Sequence, residues 1–154
     1  MKKILVITTG GTIAMKKDRE TGGLMPAVSG KDLAAAVPGL AHYADLDVLE
    51  FSNKPSGWMT AADMFELSKL IDRLADTDQA DGFVITHGTD TLEETAFFLE
   101  AVLKTEKPVC VTGAMRGASA LSADGPANIL AAVRTAASDD SIGKGVNVCL
   151  GDRN

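Results

Sequence analysis

Three short stretches carry residue types that chemistry needs, and each follows a short apolar run. Thr9-Gly10-Gly11-Thr12 follows KILVIT, Thr86-His87-Gly88-Thr89-Asp90-Thr91 closes and follows GFVIT, and Thr112-Gly113-Ala114-Met115-Arg116 closes and follows PVCVT. Glycine lets backbone approach a ligand closely, and hydroxyls with one carboxylate then gather around the gap. A threonine hydroxyl is a weak nucleophile and needs a base beside it. A second threonine held by a carboxylate is one way to supply a proton path. A blander reading stands next to each stretch. Thr-Gly-Gly-Thr is also an ordinary turn, Asp90-Thr91 could cap a following helix, and His87 reads first as a satisfied structural histidine. A phosphate loop fits poorly, because neither GK[ST] nor GxGxxG occurs here.

The elements that must position these stretches alternate between strand and helix. Strands are expected at Lys3–Thr8, Leu46–Phe51, Gly82–Thr86, Pro108–Thr112 and Val146–Leu150. Continuous apolar runs of this kind suit strands covered on both faces. Helices are expected at Lys31–Val37, Ala61–Ala75, Leu92–Leu103 and from Asp124 to about Ala137. Thr60 and Asp63 have capping-box spacing. Met64, Leu67, Ile71 and Leu74 recur on one helical face, and Pro126 falls in a first turn. The polar segment Lys16–Gly30 reads as a loop with room for a small hairpin around Gly22-Gly23, and Met15–Met25 as a lid. The pattern predicts an α/β domain with an open, mainly parallel sheet flanked by helices. In such sheets sites gather beyond the carboxyl ends of strands, where all three stretches fall.

Composition excludes several classes. The chain has 154 residues, a net charge of −6 and 45% hydrophobic residues, which suits one globular domain. Residues 55–107 carry eleven acidic and four basic side chains, the reverse of a nucleic-acid footprint. No apolar run approaches a membrane span, and the apolar run after Met1-Lys2-Lys3 is too short for a signal peptide. Cys110 and Cys149 lie in apolar strand-like runs and read as free buried thiols. Those features predict a cytoplasmic protein, with no nucleic-acid or membrane partner. His42 and His87 are far apart and lack a CxxC partner, so no metal site is argued.

The motifs resemble a known family. Thr9-Gly10-Gly11-Thr12-Ile13-Ala14 is similar to the first signature of the bacterial-type L-asparaginases, and Thr86 through Ala96 to the second. Gly113-Ala114-Met115-Arg116, followed by Ser122 through Asn128, resembles the third. The resemblance implies hydrolysis of L-asparagine, with L-glutamine as a second candidate substrate, through a threonine acyl-enzyme and with no cofactor. It implies that Thr12 is the nucleophile and that Thr89 and Asp90 are the second threonine and its carboxylate. Ser56 would hold the substrate α-carboxylate, with Gly57 beside it, and Asp90 would also grip the α-ammonium. The Ala114 carbonyl would accept from the leaving amide. Backbone N–H groups near Thr12 and Thr89, in the Gly11 and Gly88 stretches, would form the oxyanion hole.

Three positions depart from the family pattern. The loop that usually carries a tyrosine reads Gly23-Leu24-Met25-Pro26, and the only tyrosine is Tyr43. Gly57 stands where a glutamine is common. The family's lysine would fall beyond Asn154, and Lys144 is too early to match it. Residues 1–154 therefore read as an incomplete N-terminal catalytic domain without the C-terminal domain. The expectation is little or no activity for these residues alone, and a homo-oligomer, dimer or tetramer, for the full-length form. Two other readings share the motifs: the amidase subunit of a tRNA-dependent amidotransferase, and a non-catalytic amino-acid-binding remnant.

Overall fold

The computed structural model describes residues 1–10, 13, 15–17, 22, 24–26 and 35–151. Five parallel strands form one open sheet. In chain order they are β1 (Lys3–Thr8), β4 (Asp45–Glu50), β5 (Gly82–Thr86), β6 (Val109–Thr112) and β7 (Val146–Cys149). Across the sheet the order is β4-β1-β5-β6-β7, and every pairing is parallel. A two-stranded antiparallel hairpin, β2 (Met15–Lys17) with β3 (Leu24–Pro26), stands apart. It lies in the segment expected to hold a hairpin and lid; residues 18–21 and 23 are outside the described residues. Most of the expected helix at Lys31–Val37 is also outside them, and residues 35–36 are helical.

Alternation along the strands divides the core in two. Ile4, Val6, Val84, Cys110 and Cys149 face helix α3 (Gly125–Ala136), where Ile129, Ala132, Val133 and Ala136 meet them. Leu5, Ile7, Phe83, Ile85, Val109 and Val111 face α1 (Ala61–Asp76) and α2 (Leu92–Val102). With both faces covered, the central strands need apolar residues at every position, which is why they read as unbroken runs. The four residues expected on one face of α1 are all buried. Its start is a full capping box: Thr60 Oγ1 accepts from Asp63 N, and the Asp63 carboxylate accepts from Thr60 N. Both cysteines are free and fully buried. Element boundaries differ from expectation by one or two residues; β4, for example, starts at Asp45, whose N–H donates to Lys2 O.

The strand order fixes where a ligand site belongs. Chain order runs outward from β1 in two directions, to β4 on one side and to β5, β6 and β7 on the other. Crossovers that leave in opposite directions open a crevice at the carboxyl ends of the two strands concerned. Here those strands are β1 and β5, the ones that lead into Thr9-Gly10 and His87-Gly88.

Candidate active site

The ends of β1 and β5 are tied together. Thr9 donates to Thr86 O through both its N–H, at 3.1 Å, and its hydroxyl, at 3.0 Å. The Thr9 carbonyl in turn accepts from Ser52 Oγ at 2.7 Å and from Lys54 N at 3.2 Å. Gly10 then turns with φ +132°, a conformation side chains rarely adopt, and a Cβ there would lie 2.8 Å from Lys54 N. Only glycine meets both constraints. Gly11 and Thr12 lie outside the described residues. Ile13 beyond them is buried, and a Cβ at Gly125, the first residue of α3, would stand 3.2 Å from Ile13 Cγ1.

The loop after β4 meets the loop after β5. A Cβ on Gly88 would lie 2.5 Å from Ser56 Oγ and 2.8 Å from Ser56 Cβ, so the glycine lets Ser56 rest on the Gly88 backbone. Ser56 is 6% exposed and sits in a single 3-10 turn, Ser56–Trp58. Its hydroxyl accepts from Asp90 N at 3.2 Å, and its carbonyl accepts from Thr91 Oγ1 at 2.7 Å. The accepted bond uses a lone pair and leaves the Ser56 O–H as a donor. Gly57 is exposed, with its α-carbon facing Asp90: a Cβ there would stand 3.7 Å from Asp90 Oδ2. Asp90 is itself exposed. Ser56, Gly57, Gly88 and Asp90 therefore form one cluster. Thr91 is the N-cap residue of α2 but makes no side-chain cap; its hydroxyl is turned to donate to Ser56 O instead.

His87 is structural, as expected. Its Nδ1–H donates to Gly88 O at 2.7 Å, which fixes the tautomer because a carbonyl only accepts. Nε2 then accepts from Thr95 Oγ1 at 3.0 Å. Burial pushes the imidazole below its ordinary value, against the opposing pull of the Gly88 carbonyl and Glu94. A neutral ring with both nitrogens engaged is no general base. It braces the Gly88 turn from inside.

The end of β6 closes the third side. His87 N donates to Thr112 O at 2.8 Å. A Cβ on Gly113 would be 2.9 Å from His87 O and 3.1 Å from Thr89 Cγ2, so half-buried Thr89 packs directly against this glycine. Ala114 follows, half-buried near Gly125. Beyond it the Asp124 carboxylate accepts from Met115 N at 3.0 Å and Arg116 N at 2.8 Å. Burial alone would raise the Asp124 pKa; these N–H groups, its own N–H and the Arg116 charge outweigh burial and hold it below the usual carboxylate range.

Of the residues singled out from sequence, Ser56, Gly57, Gly88, Thr89, Asp90 and Ala114 all lie on the three loops at the carboxyl edge. Tyr43 does not. It precedes β4 at the opposite edge, where the Arg134 guanidinium lies 5.2 Å from its ring centroid. Lys144 likewise precedes β7 at the amino edge. Sequence reasoning missed Ser52, Lys54 and Asn128. The last carried a signal, its spacing of four from Asp124 across a helix start.

An open parallel α/β domain whose carboxyl-edge loops gather hydroxyls and a carboxylate beside its switch point is the class these features define. Comparison with known proteins narrows this. The family model described as "Asparaginase, N-terminal" matches residues 3–153, and the chain belongs to the asparaginase family. L-asparaginase 2-3 of Saccharomyces cerevisiae is 45% identical over 155 residues, covering 99% of this chain and 43% of the yeast protein. The Glutaminase-asparaginase of Pseudomonas aeruginosa is 40% identical over 158 residues, again covering 99% of this chain and 43% of the relative. The crystal structure of a probable cytoplasmic L-asparaginase from Campylobacter jejuni superimposes with a TM-score of 0.85 at 39% identity, covering 99% of this chain and 47% of that one. The chain thus spans less than half the length of these relatives. No helix among the described residues is long and apolar enough to cross a membrane.

Proposed function

We propose that this chain supplies the catalytic cleft of an L-asparaginase, which hydrolyses L-asparagine to L-aspartate and ammonia. The observation that carries the reading is the contact of the Ser56 loop after β4 with the Gly88–Asp90 loop after β5, which also packs Thr89 on Gly113, at the carboxyl edge of a member of the asparaginase family. The Ser56 hydroxyl donates to the substrate α-carboxylate, and the Asp90 carboxylate takes the α-ammonium. The two groups are held together by the Asp90 N–H to Ser56 bond, so the amino-acid head is read as a zwitterion of fixed span.

Thr12 is the nucleophile in this proposal. Its hydroxyl oxygen attacks the side-chain amide carbon, its proton passes towards the leaving nitrogen, and an acyl-threonine ester forms as ammonia departs. Water then attacks the ester, releasing aspartate and restoring the hydroxyl. Support comes from the signature around Thr12 and from its flanks, Gly10 at the carboxyl end of β1 and Ile13 against the start of α3. Thr89 and Asp90 serve the proton path, the Gly11 and Gly88 stretches offer N–H groups to the oxyanion, and the Ala114 carbonyl accepts from the leaving amide. Glutamine is a second substrate in this reading, since one relative is named a glutaminase-asparaginase. The complete protein is a cytoplasmic homo-oligomer, a dimer or tetramer.

Hydroxylamine tests the covalent step. It competes with water for an acyl-enzyme, so the product shifts from aspartate to β-aspartyl hydroxamate. Where deacylation is not limiting, ammonia release keeps its rate. Hydroxamate formed only as extra turnover, with the aspartate rate untouched, would point to direct hydrolysis instead.

A further inference from the structure

We infer that Asn128 is a positioning residue for the leaving group, an inference that rests on the asparaginase reading above. Its side chain is fully buried in the first turn of α3. It does not cap the helix, since its own N–H already donates to Asp124 O at 3.0 Å. The side chain instead joins three segments. Nδ2 donates to Gly113 O at 2.8 Å and to Asp124 Oδ2 at 3.2 Å, while Oδ1 accepts from Gly151 N at 2.9 Å, just past β7. Two acceptors on one end and a donor on the other leave the amide a single orientation. A buried amide in a core of Ile129, Ala132 and Val133 is costly unless each polar atom is satisfied, and here both are.

What Asn128 holds is the peptide that leads into Ala114. Gly113 is pressed on one side by His87 O and the Thr89 methyl, and Asn128 grips its carbonyl. Two and three residues on, Met115 N and Arg116 N are fixed by Asp124, which Asn128 also contacts. The Ala114 carbonyl shares its peptide plane with Met115 N, which Asp124 Oδ2 holds; Asn128 grips that same oxygen and, on the other side of Ala114, the Gly113 carbonyl, so Asn128 and Asp124 together set the direction of the Ala114 carbonyl. That carbonyl is the group assigned to the leaving amide. Asn128 never touches the substrate; it aims the acceptor that does.

The test compares an amide with an ester in the complete protein. L-aspartate β-methyl ester has the same head and acyl group as asparagine, but its leaving oxygen carries no hydrogen to give the Ala114 carbonyl. Asn128→Ser and Asn128→Asp should lower kcat/KM for asparagine at least about tenfold more than for the ester, the scale of one misaligned hydrogen bond. The ratio of the two constants cancels the concentration of active enzyme, so a poorly folding variant still reports. Ester turnover with asparagine turnover below detection counts as the expected result. An unchanged ratio, or equal loss of both activities, would overturn the positioning role and leave Asn128 as a core residue. An unaltered protein that hydrolyses neither compound would overturn the asparaginase reading itself, and this inference with it.

Discussion

Adding one methyl group at Gly88 should cost substrate affinity more than the same change at Gly57, although both glycines adjoin the contact between Ser56 and Asp90. A Cβ on Gly88 would stand 2.5 Å from Ser56 Oγ and 2.8 Å from Ser56 Cβ. Ordinary contacts begin at roughly 3.5 Å, so Ser56 must retreat by about 1 Å. Its turn is short, only Ser56–Trp58, and is held to the β5 loop by the Asp90 N–H and Thr91 hydroxyl bonds at 3.2 and 2.7 Å. A retreat of that size breaks the longer bond and withdraws the hydroxyl from a carboxylate ligand. Gly88→Ala should destabilise the fold by about 1–3 kcal/mol, as overpacking does. Loss of one hydrogen bond to a charged group is worth ~1.5–3 kcal/mol, so the Kd for aspartate should rise roughly 10- to 100-fold. Gly57→Ala meets only Asp90 Oδ2 at 3.7 Å, an ordinary contact, and should bind aspartate within about twofold of the unaltered protein. Titration calorimetry with aspartate, run well below each melting temperature, separates affinity from stability. Tight binding by Gly88→Ala would refute the role given to Ser56, and a large loss in Gly57→Ala would refute the geometry.

The other predictions concern groups whose ionisation the fold has shifted. Asp63 is drawn down to about 2 by Lys54 Nζ at 2.8 Å and by the Thr60 N–H and hydroxyl. Its folded pKa lies below its unfolded value, so its contribution is full above about pH 4 and disappears as pH falls towards 2. Solvent screening reduces that contribution to about 1 kcal/mol. Chemical denaturation of Asp63→Asn should show that loss at pH 7 and a flatter profile below pH 4; an unchanged profile would contradict the assignment. His87, lowered by burial, should titrate below the ordinary imidazole value, and its neutral form should carry the proton on Nδ1 by nitrogen NMR. Because its folded pKa lies below the unfolded one, its neutral form stabilises the fold fully above about pH 6.5, and this is lost as pH falls below that value. A titration at or above 6.5 would mean that the ring is not braced as described.

How much was legible in the sequence depended on the range of the contact. The capping box at Thr60 and Asp63, the buried face of α1 and the hairpin around Gly22 are local, and the chain spells them out within a few residues. The carboxyl-edge loops were legible for a similar reason, since glycine and threonine directly after an apolar run mark a strand end. The strand order β4-β1-β5-β6-β7 was not, because parallel strands pair through crossovers and carry no pairing signal of their own. The need for glycine at 88 arises from Ser56, and the need at 10 from Lys54. Neither pairing has a periodicity that could announce it. Asn128 stood in the third signature without a role, because its partners Gly113 and Gly151 come from the ends of two different strands.

Ammonia release from L-asparagine by the complete protein, measured beside Thr12→Ala, tests the central claim most directly. The account predicts clear turnover by the unaltered protein and a fall of at least about a thousandfold in Thr12→Ala, with aspartate binding retained through Ser56 and Asp90. Comparable ammonia release from both proteins, or none from the unaltered one, would contradict it.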